Sequence, residues 1–308
     1  MSFAYPKPLL EFLIKSPPNN PDFNVCLVHE TSGLVGFICG KPTKMTVKSE
    51  TLPMIQINFL CVHKNYRNQR IGPILISEIT RRANIKGMFH AAYTVGVYVH
   101  KPLCAATYYH RMINRERAMQ CGFALPFSQK FKHIEKKMET IKIQKDIKLV
   151  AVPKKKRIEA YNLMMQFFRQ HFKVYPEITQ ECFSFMCKSP QGSCEVLCVL
   201  DATTNSPCIV LSFFTITTRI KSAMQDLKAA FLYYYAYKDE ILFKKALLQL
   251  MYILKERNYD LLNCLDIMKN SSFIDDLRFL KGTGKLNYCL YNYNVNDIES
   301  KDVALVFL

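Results

Sequence analysis

Apolar and polar positions alternate on both sides of a short polar turn near the start of the chain. Residues 24–39 form two such arms around Thr31-Ser32-Gly33, a pattern that predicts a β-hairpin. Residues 54–62 alternate in the same way and predict a further strand.

A basic loop follows this strand and leads into a helical pattern. The loop runs from His63 to Arg70, and Pro73 suits the first turn of a helix. The buried face of that helix is expected to consist of Ile74, Leu75, Ile79 and Ala83. Residues 91–97 return as a strand, so the pattern predicts a unit of strand, basic loop, helix and strand.

The second half of the chain mixes the same two periodicities. Helices are predicted over residues 156–172, 179–187, 240–256 and 271–280. Strands are predicted over residues 194–200, 208–217, 229–237, 259–263, 286–293 and 302–308. Because each half combines a β-meander with helices, an α+β or α/β fold is favoured over an all-β fold.

The length of 308 residues leaves room for two domains. A basic stretch from Lys130 to Arg157 separates two halves of similar length, and we interpret it as an exposed crossing segment. The domains are therefore predicted as residues 1–145 and 146–308. The run from Lys154 to Arg157 leaves a nuclear localisation signal open as an alternative.

The charge balance narrows the classes of partner. The chain carries 42 Lys and Arg against 25 Asp and Glu, a formal net charge of +17, and is 49% hydrophobic. That apolar fraction excludes a disordered polybasic tail. A basic excess of this size fits nucleic acid, an anionic membrane surface or a ligand that bears phosphate.

The 12 cysteines include no Cys-x-x-Cys pair, so no metal or dithiol redox site is expected and buried reduced thiols are predicted. The N-terminal residues do not form a signal peptide pattern, and no run of about 18 apolar residues follows. We therefore expect a reducing compartment, most simply the cytoplasm, and no membrane insertion.

The segment from Arg67 to Gly72 is the first candidate for chemistry. It ends a predicted strand and begins a predicted helix, so free backbone N–H groups, the helix dipole and two arginines converge on one point. Such a point binds phosphate. A polar helix-entry loop without a ligand is the alternative.

The residues around this loop resemble the central signature of the eukaryotic glycylpeptide N-myristoyltransferases, a family of the GNAT superfamily of acyl-CoA N-acyltransferases. The resemblance rests on residues 57–82, 91–97, 101–114, 261–268, 281–294 and 303–308, in collinear order. It implies an α+β fold of two GNAT-like halves related by pseudo-twofold symmetry. The N-terminal half would bind acyl-CoA, and the C-terminal half would bind peptide and supply the terminal carboxylate.

The resemblance also implies a reaction and its residues. Myristoyl-CoA would be the co-substrate, without a tightly bound cofactor or a metal, and the acceptor would be the N-terminal glycine of proteins, so that the product is a lipoprotein; no specific nucleic acid partner is expected. The backbone amides of Phe59 and Leu60 would form the oxyanion hole, the α-carboxylate of Leu308 would be the base, and Thr94 would hold the incoming amine. The residues expected around the CoA phosphates and pantetheine, besides Phe59 and Leu60, are Cys61, Val62, Arg67, Asn68, Gln69, Arg70, Ile71 and Gly72.

For the peptide, the resemblance points to Tyr5, Gly96, Tyr108, His110, Ser212, Asp266 and Leu286. A carboxylate such as Asp266 would pair with a lysine of a basic peptide. His110 is expected to position the substrate rather than to transfer a proton.

Three departures from the family pattern qualify this interpretation. The chain begins near the family's F-x-Y segment, here Phe3 and Tyr5, so a member that lacks the N-terminal flank is expected. Gly72 replaces the alanine that opens the helix, and Thr283 replaces the aspartate of a glycine-flanked turn. A non-catalytic relative that binds acyl-CoA or peptide, and an acyltransferase with altered acyl or amine specificity, are the alternatives.

Overall fold

One mixed β-sheet runs through the whole molecule. The computed structural model describes residues 2–123, 144, 146–220 and 225–307. Its thirteen strands are Ser2–Ala4 (β1), Asn24–His29 (β2), Gly33–Val47 (β3), Glu50–Val62 (β4), His90–Val95 (β5), Cys104–Met112 (β6), Val150–Ala151 (β7), Val174–Pro176 (β8), Cys194–Leu200 (β9), Pro207–Ile220 (β10), Gln225–Tyr237 (β11), Leu261–Leu265 (β12) and Leu280–Tyr291 (β13).

Six α-helices lie in the part of the chain that the structure describes. They are Lys7–Lys15 (α1), Ile71–Ile85 (α2), Arg115–Gln120 (α3), Arg157–His171 (α4), Gln180–Met186 (α5) and Glu240–Glu256 (α6). The mixed content confirms the prediction of helices and strands in both halves.

The order of the sheet shows an internal repeat. It reads β2-β3-β4-β5-β13-β6-β12-β11-β10-β9-β7, with β1 paired to β10 and β8 to β3. In the first half β4 is antiparallel to β3 and parallel to β5, and α2 connects β4 to β5. In the second half β11 is antiparallel to β10 and parallel to β12, and α6 connects β11 to β12.

One strand of each half also pairs with a strand of the other half. Strand β6 pairs with β12 of the second half, β13 pairs with β5 of the first half, and β6 and β13 pair with each other at the centre. The two halves are therefore joined by continuous hydrogen-bonded ladders.

Helix α2 packs very closely on the first half of the sheet. Its buried residues are Ile71, Leu75, Ile79 and Ala83. Ile74, predicted on this face, is 52% exposed instead, because the buried stripe begins at Ile71, two positions before Pro73, and continues at intervals of four residues. A Cβ at Gly40 would lie 2.6 Å from Ile55 Cγ2 and 2.9 Å from Ile79 Cδ1, so only glycine permits this approach.

Two predicted elements near the end of the chain are wrong. The segment 271–280 contains a 3-10 turn over Asn270–Ser272 and further turns instead of an α-helix; Arg278 has a φ of 57°, which interrupts any helix. In the described part of the predicted strand 302–308, only Val303 forms a bridge, to Val174. The segment is held by single hydrogen bonds, such as Ala304 N–H to Val174 O at 2.8 Å, rather than by a ladder.

The predicted boundary at residue 145 and most of the basic stretch from Lys130 lie outside the described residues, and the two-domain division stays a prediction. Lys154–Lys156 form a 3-10 turn that leads into α4. No helix among the described residues is long and apolar enough to span a membrane.

Candidate functional site

Strand β4 contains a bulge in the middle of the sheet. Cys39 pairs with Phe59 and Gly40 pairs with Ile57, so Asn58 is an extra residue. The parallel pairing with β5 ends at Gln56 and Ala92, although β4 continues to Val62. Alternate N–H groups of an antiparallel strand point to its other edge, and beyond Gln56 that edge of β4 has no strand partner in the described chain.

A cavity of about 240 Å³ lies beside this bulge and is shared by both halves. Asn58, Thr94 and Tyr108 line it from the first half, and Leu286 of β13 lines it from the second. Its apolar and aromatic wall is completed by Phe3, Tyr5, Phe214, Ile216, Phe231, Leu232, Tyr233, Cys264, Leu265, Ile267, Val306 and Phe307, together with Asn270.

The structure brings four predicted residues together in this cavity, namely Tyr5, Thr94, Tyr108 and Leu286. The Tyr5 ring packs edge-on against Phe59 with centroids 5.2 Å apart. Burial, and secondarily the neighbouring Tyr5, raises the pKa of Tyr108 to about 12. Burial likewise raises the pKa of Tyr5, with a smaller contribution from Cys61. Both hydroxyls are therefore neutral donors at physiological pH.

The other predicted peptide residues lie outside the cavity lining. Gly96 is exposed just after β5. Ser212 is fully buried, and its Oγ donates to Tyr234 O at 2.7 Å and accepts from Tyr234 N–H at 3.0 Å. Asp266 Oδ1 accepts the Thr107 N–H at 2.7 Å, so this carboxylate anchors β6.

His110 does not line the cavity but lies next to Tyr108, with the two rings stacked at a centroid distance of 6.5 Å. Its Nδ1 is 2.8 Å from Asn263 Oδ1, and its pKa is lowered by burial, which outweighs the opposing effect of the Asn263 contact. A Cβ at Gly282 would lie 2.5 Å from His110 Nε2 and 2.9 Å from Tyr108 O. The glycine therefore allows β13 to close over His110.

The residues that precede Leu308 reach the cavity, while Leu308 itself lies outside the described residues. Val306 N–H donates to the Tyr234 hydroxyl at 3.4 Å, and the Phe307 and Tyr288 rings lie 5.8 Å apart. The buried stretch from Val303 to Val306 thus leads to Val306 and Phe307 in the cavity wall.

The basic loop lies at the far end of β4 and leads into α2. Asn68 and Arg70 have positive φ values of 65° and 59°, which fold the loop back toward the helix. Arg70 occupies the N-cap position without a side-chain capping bond, and the first turn of α2 contains no acidic residue. Arg67 Nε donates to Val62 O at 3.4 Å. In the described chain neither Arg67 nor Arg70 lies within ion-pair distance of a carboxylate.

The other residues predicted to bind acyl-CoA lie at the end of β4 and in the basic loop. Leu60 and Cys61 are exposed and Phe59 and Val62 are partly buried at the end of β4, and Gln69 Nε2 donates to Asn65 O at 3.5 Å. A surface groove continues along α2 and is lined by Arg70, Pro73, Ile74, Ser77, Glu78 and Arg81. Hydrogen bonds from Arg81 and Arg82 lower the pKa of Glu78 to about 2, so this carboxylate is already engaged.

Sequence reasoning missed most of the cavity wall that the second half supplies. Phe214 and Phe231 stack with centroids 5.2 Å apart, and Tyr233 follows on the same strand as Phe231. The aromatic run of residues 231–237 was the available signal.

None of the twelve cysteines, all of which lie in the described part of the chain, forms a disulfide, and nine are buried. This confirms most of the prediction for the thiols. Among the residues that the structure describes, no three His, Cys, Asp or Glu side chains cluster in a way that could hold a metal ion.

Two family models and a known relative match most of this chain. Residues 1–106 match the family model of the myristoyl-CoA:protein N-myristoyltransferase N-terminal domain, and residues 122–305 match that of the C-terminal domain. A glycylpeptide N-tetradecanoyltransferase of Dictyostelium discoideum is 31% identical over 99% of this chain and 75% of its own.

Solved structures extend the comparison to the fold. Saccharomyces cerevisiae N-myristoyltransferase with bound myristoyl-CoA superposes with a TM-score of 0.90 and 27% identity, over 99% of this chain and 78% of the yeast chain. A GCN5-related N-acetyltransferase of Anabaena variabilis superposes with a TM-score of 0.50 and 10% identity, over 85% of this chain and 61% of that one, a likeness of fold alone. The predicted α+β fold with GNAT-like halves is confirmed, and the chain belongs to the myristoyl-CoA:protein N-myristoyltransferase family.

Proposed function

We propose that this protein transfers a myristoyl group from myristoyl-CoA to the N-terminal glycine amine of protein substrates. The observation that carries the proposal is the bulge at Asn58, where a strand with a free edge opens into an apolar cavity shared by both halves. An acyl donor that enters along the free edge would meet a peptide amine in the cavity.

The backbone of β4 supplies the electrostatic part of this mechanism. Attack on a thioester places negative charge on the carbonyl oxygen, and backbone N–H groups that are already oriented stabilise it without reorganisation. We propose the N–H groups of Phe59 and Leu60 for this role, because they follow the bulge directly. Thr94 lines the cavity from β5 and would hold the incoming amine.

The basic loop is the proposed site of the CoA phosphates. Arg67 and Arg70 are exposed and lie next to the uncapped N-terminus of α2, where backbone N–H groups face solvent. An anion bound there would gain charge-assisted hydrogen bonds from both side chains. The groove along α2 offers room for the rest of the nucleotide.

A base completes the proposal. The α-amino group of a peptide has a pKa of about 7.7–8.0, so the acceptor must lose a proton before it attacks. We propose the α-carboxylate of Leu308 as that base, which the approach of Val306 and Phe307 to the cavity supports. We also propose the cytoplasm as the compartment, since twelve described cysteines without a disulfide suit a reducing environment.

A transfer assay with the full chain tests the function. Myristoyl-CoA is offered with a peptide that begins with glycine and with the same peptide acetylated on that glycine. We expect acylation of the first peptide alone. Tight myristoyl-CoA binding without acylation would instead identify a non-catalytic relative. Faster transfer from acetyl-, octanoyl- or palmitoyl-CoA, or transfer to a lysine side chain, would identify an altered specificity.

A variant with an extended C-terminus tests the proposed base. Residues appended after Leu308 displace the proposed carboxylate, and the transfer step should slow by roughly 10²–10⁴-fold, with myristoyl-CoA affinity unchanged. Unchanged turnover in this variant would assign the base to another group.

A further inference from the structure

A lysine, a serine and a cysteine from three separate elements meet away from the cavity. Lys41 lies on β3, Ser16 follows the end of α1, and Cys182 lies on α5. Lys41 Nζ is 2.8 Å from Ser16 Oγ and 3.5 Å from Cys182 Sγ, and the last two atoms are 3.6 Å apart. The three polar atoms therefore form a closed triangle.

Protein surrounds this triangle on most sides. Ser16 is 1% exposed and Cys182 is 6% exposed, while Lys41 is half-buried. Within the described chain no carboxylate lies within ion-pair distance of Lys41. The amine is thus held against a hydroxyl and a thiol, where most lysines extend to solvent or to an acid.

The contact also joins the two halves of the molecule. Lys41 pairs with Gln56 on β4, two residues before the bulge at Asn58. Cys182 lies on a helix of the second half that packs on α4 and β9. A covalent bond between the two residues would tie β3 to α5 across 141 residues of sequence.

We propose that Lys41 and Cys182 form a reversible oxidative cross-link, with hydrogen peroxide as the oxidant. Peroxide oxidises the Cys182 thiol to a sulfenic acid by a two-electron step and is itself reduced to water. The Lys41 amine, after loss of its extra proton to solvent, then attacks the sulfur. The S–N bond forms, the sulfenic oxygen leaves with its hydrogen and one amine hydrogen as a second water, and a sulfenamide remains.

The geometry favours this outcome over further oxidation. A sulfenic acid formed at Cys182 has an amine nitrogen already beside it, and sulfenic acids condense with nearby nitrogen nucleophiles. Ser16 Oγ contacts both groups. It can pass the amine hydrogen that is lost in the condensation to the sulfenic oxygen that leaves as water. A thiol reductant reverses the link by attack on sulfur, which releases the Lys41 amine and, through a mixed disulfide, the Cys182 thiol.

Mass spectrometry of the full chain tests the proposal. After treatment with hydrogen peroxide, removal of the oxidant and digestion, we expect one linked pair of peptides that contains Lys41 and Cys182 and lacks two hydrogen atoms relative to their sum. Dithiothreitol should separate the pair. The closed loop should raise the melting temperature by roughly 5 °C or more until reduction.

Matched variants separate this link from other products. Lys41→Arg keeps the cation but should yield Cys182 oxidised to sulfinic acid, without a linked pair or a rise in melting temperature. Cys194→Ser, which removes a neighbouring buried thiol, should leave the linked pair intact. Sulfinic acid at Cys182 in the unaltered chain, or a disulfide from Cys182 to Cys194, would overturn the proposal whatever the variants do.

Discussion

The two halves repeat one unit, yet their corresponding helices begin in opposite ways. Helix α2 starts after a long basic loop, with Arg70 at the N-cap and no acidic residue in its first turn. Only Lys238 and Asp239 separate β11 from helix α6, whose N-cap is Asp239 and whose first residue is Glu240. Asp239 Oδ1 accepts the Leu242 N–H at 2.9 Å. Carboxylates thus occupy the anion site of α6 and leave that of α2 open.

The bulges in β4 and β11 also differ, because one is open to the cavity and the other is filled. Parallel pairing ends at Gln56 in β4 and at Phe231 in β11, and a bulge follows two or three residues later in each strand. In β11 the buried hydroxyl of Ser212 fills the irregularity by bonding both backbone groups of Tyr234. In β4 the bulge residue Asn58 faces the cavity. A duplicated unit can therefore keep one copy open for ligands and use the other as a wall.

The largest expected effect comes from closing the open anion site. Arg67→Glu together with Arg70→Glu should lower kcat/KM for myristoyl-CoA by roughly 10²–10⁴-fold, because each charged hydrogen bond contributes about 1.5–3 kcal/mol. Steady-state kinetics at saturating peptide measures it. Turnover at saturating donor should change far less.

A control with the same change of charge sharpens this test. Lys154→Glu with Lys155→Glu alters two exposed lysines of the turn before α4 and should leave the kinetics within a factor of about 2 of the parent, as expected of a screened surface charge. An equal loss of kcat/KM in both pairs would mean that net charge, rather than the α2 site, attracts the donor.

The next largest effect is expected from removing the Ser212 hydroxyl that fills the bulge of β11. Ser212→Ala leaves the buried N–H and C=O of Tyr234 without their side-chain partner, which should cost about 1–3 kcal/mol of unfolding free energy. Chemical denaturation measures the loss. Asn58→Ala, at the corresponding bulge, should cost less stability and should change the KM for peptide instead. Equal stability losses would remove the distinction between an open and a filled bulge.

The contrast also explains which parts of the molecule the sequence could predict. The loop from Arg67 to Gly72 depends on neighbours in sequence, a strand end, a helix start and two arginines, so local patterns suffice. The cavity combines residues from Phe3 to Phe307, and only the long-range pairing of β6 and β13 brings them together. Strand β6 was not predicted, because its pattern of small and polar residues becomes a strand only between partners from the other half.

The acidic cap of α6 provides a third, smaller test. Asp239→Ala should cost about 1 kcal/mol of unfolding free energy, since it removes the side-chain acceptor for the Leu242 N–H. Asp239→Asn keeps an acceptor and should lose only a few tenths of a kcal/mol. Neither variant should affect myristoyl transfer. A fall in kcat/KM for myristoyl-CoA in both would show that the second helix contributes to donor binding.

The smallest expected effect is a change in how stability depends on pH. It concerns His110 in the central strands, by which we mean β6 and its neighbours β12 and β13. His110 on β6 contacts Asn263 on β12 and has a pKa lowered below its ordinary value of 6.5, chiefly by burial. The unfolded chain therefore binds more protons than the folded chain as the pH falls through about 6.5. The stability that depends on neutral His110 is present above that pH and is lost as the pH falls toward the folded pKa.

Melting temperatures between about pH 5 and pH 8 measure this dependence. His110→Gln should flatten the acidic part of the profile, because glutamine does not titrate and its amide can still donate to Asn263. If the acidic slope of the profile persisted in His110→Gln, the pH dependence of stability would belong to other groups of the molecule rather than to the central strands.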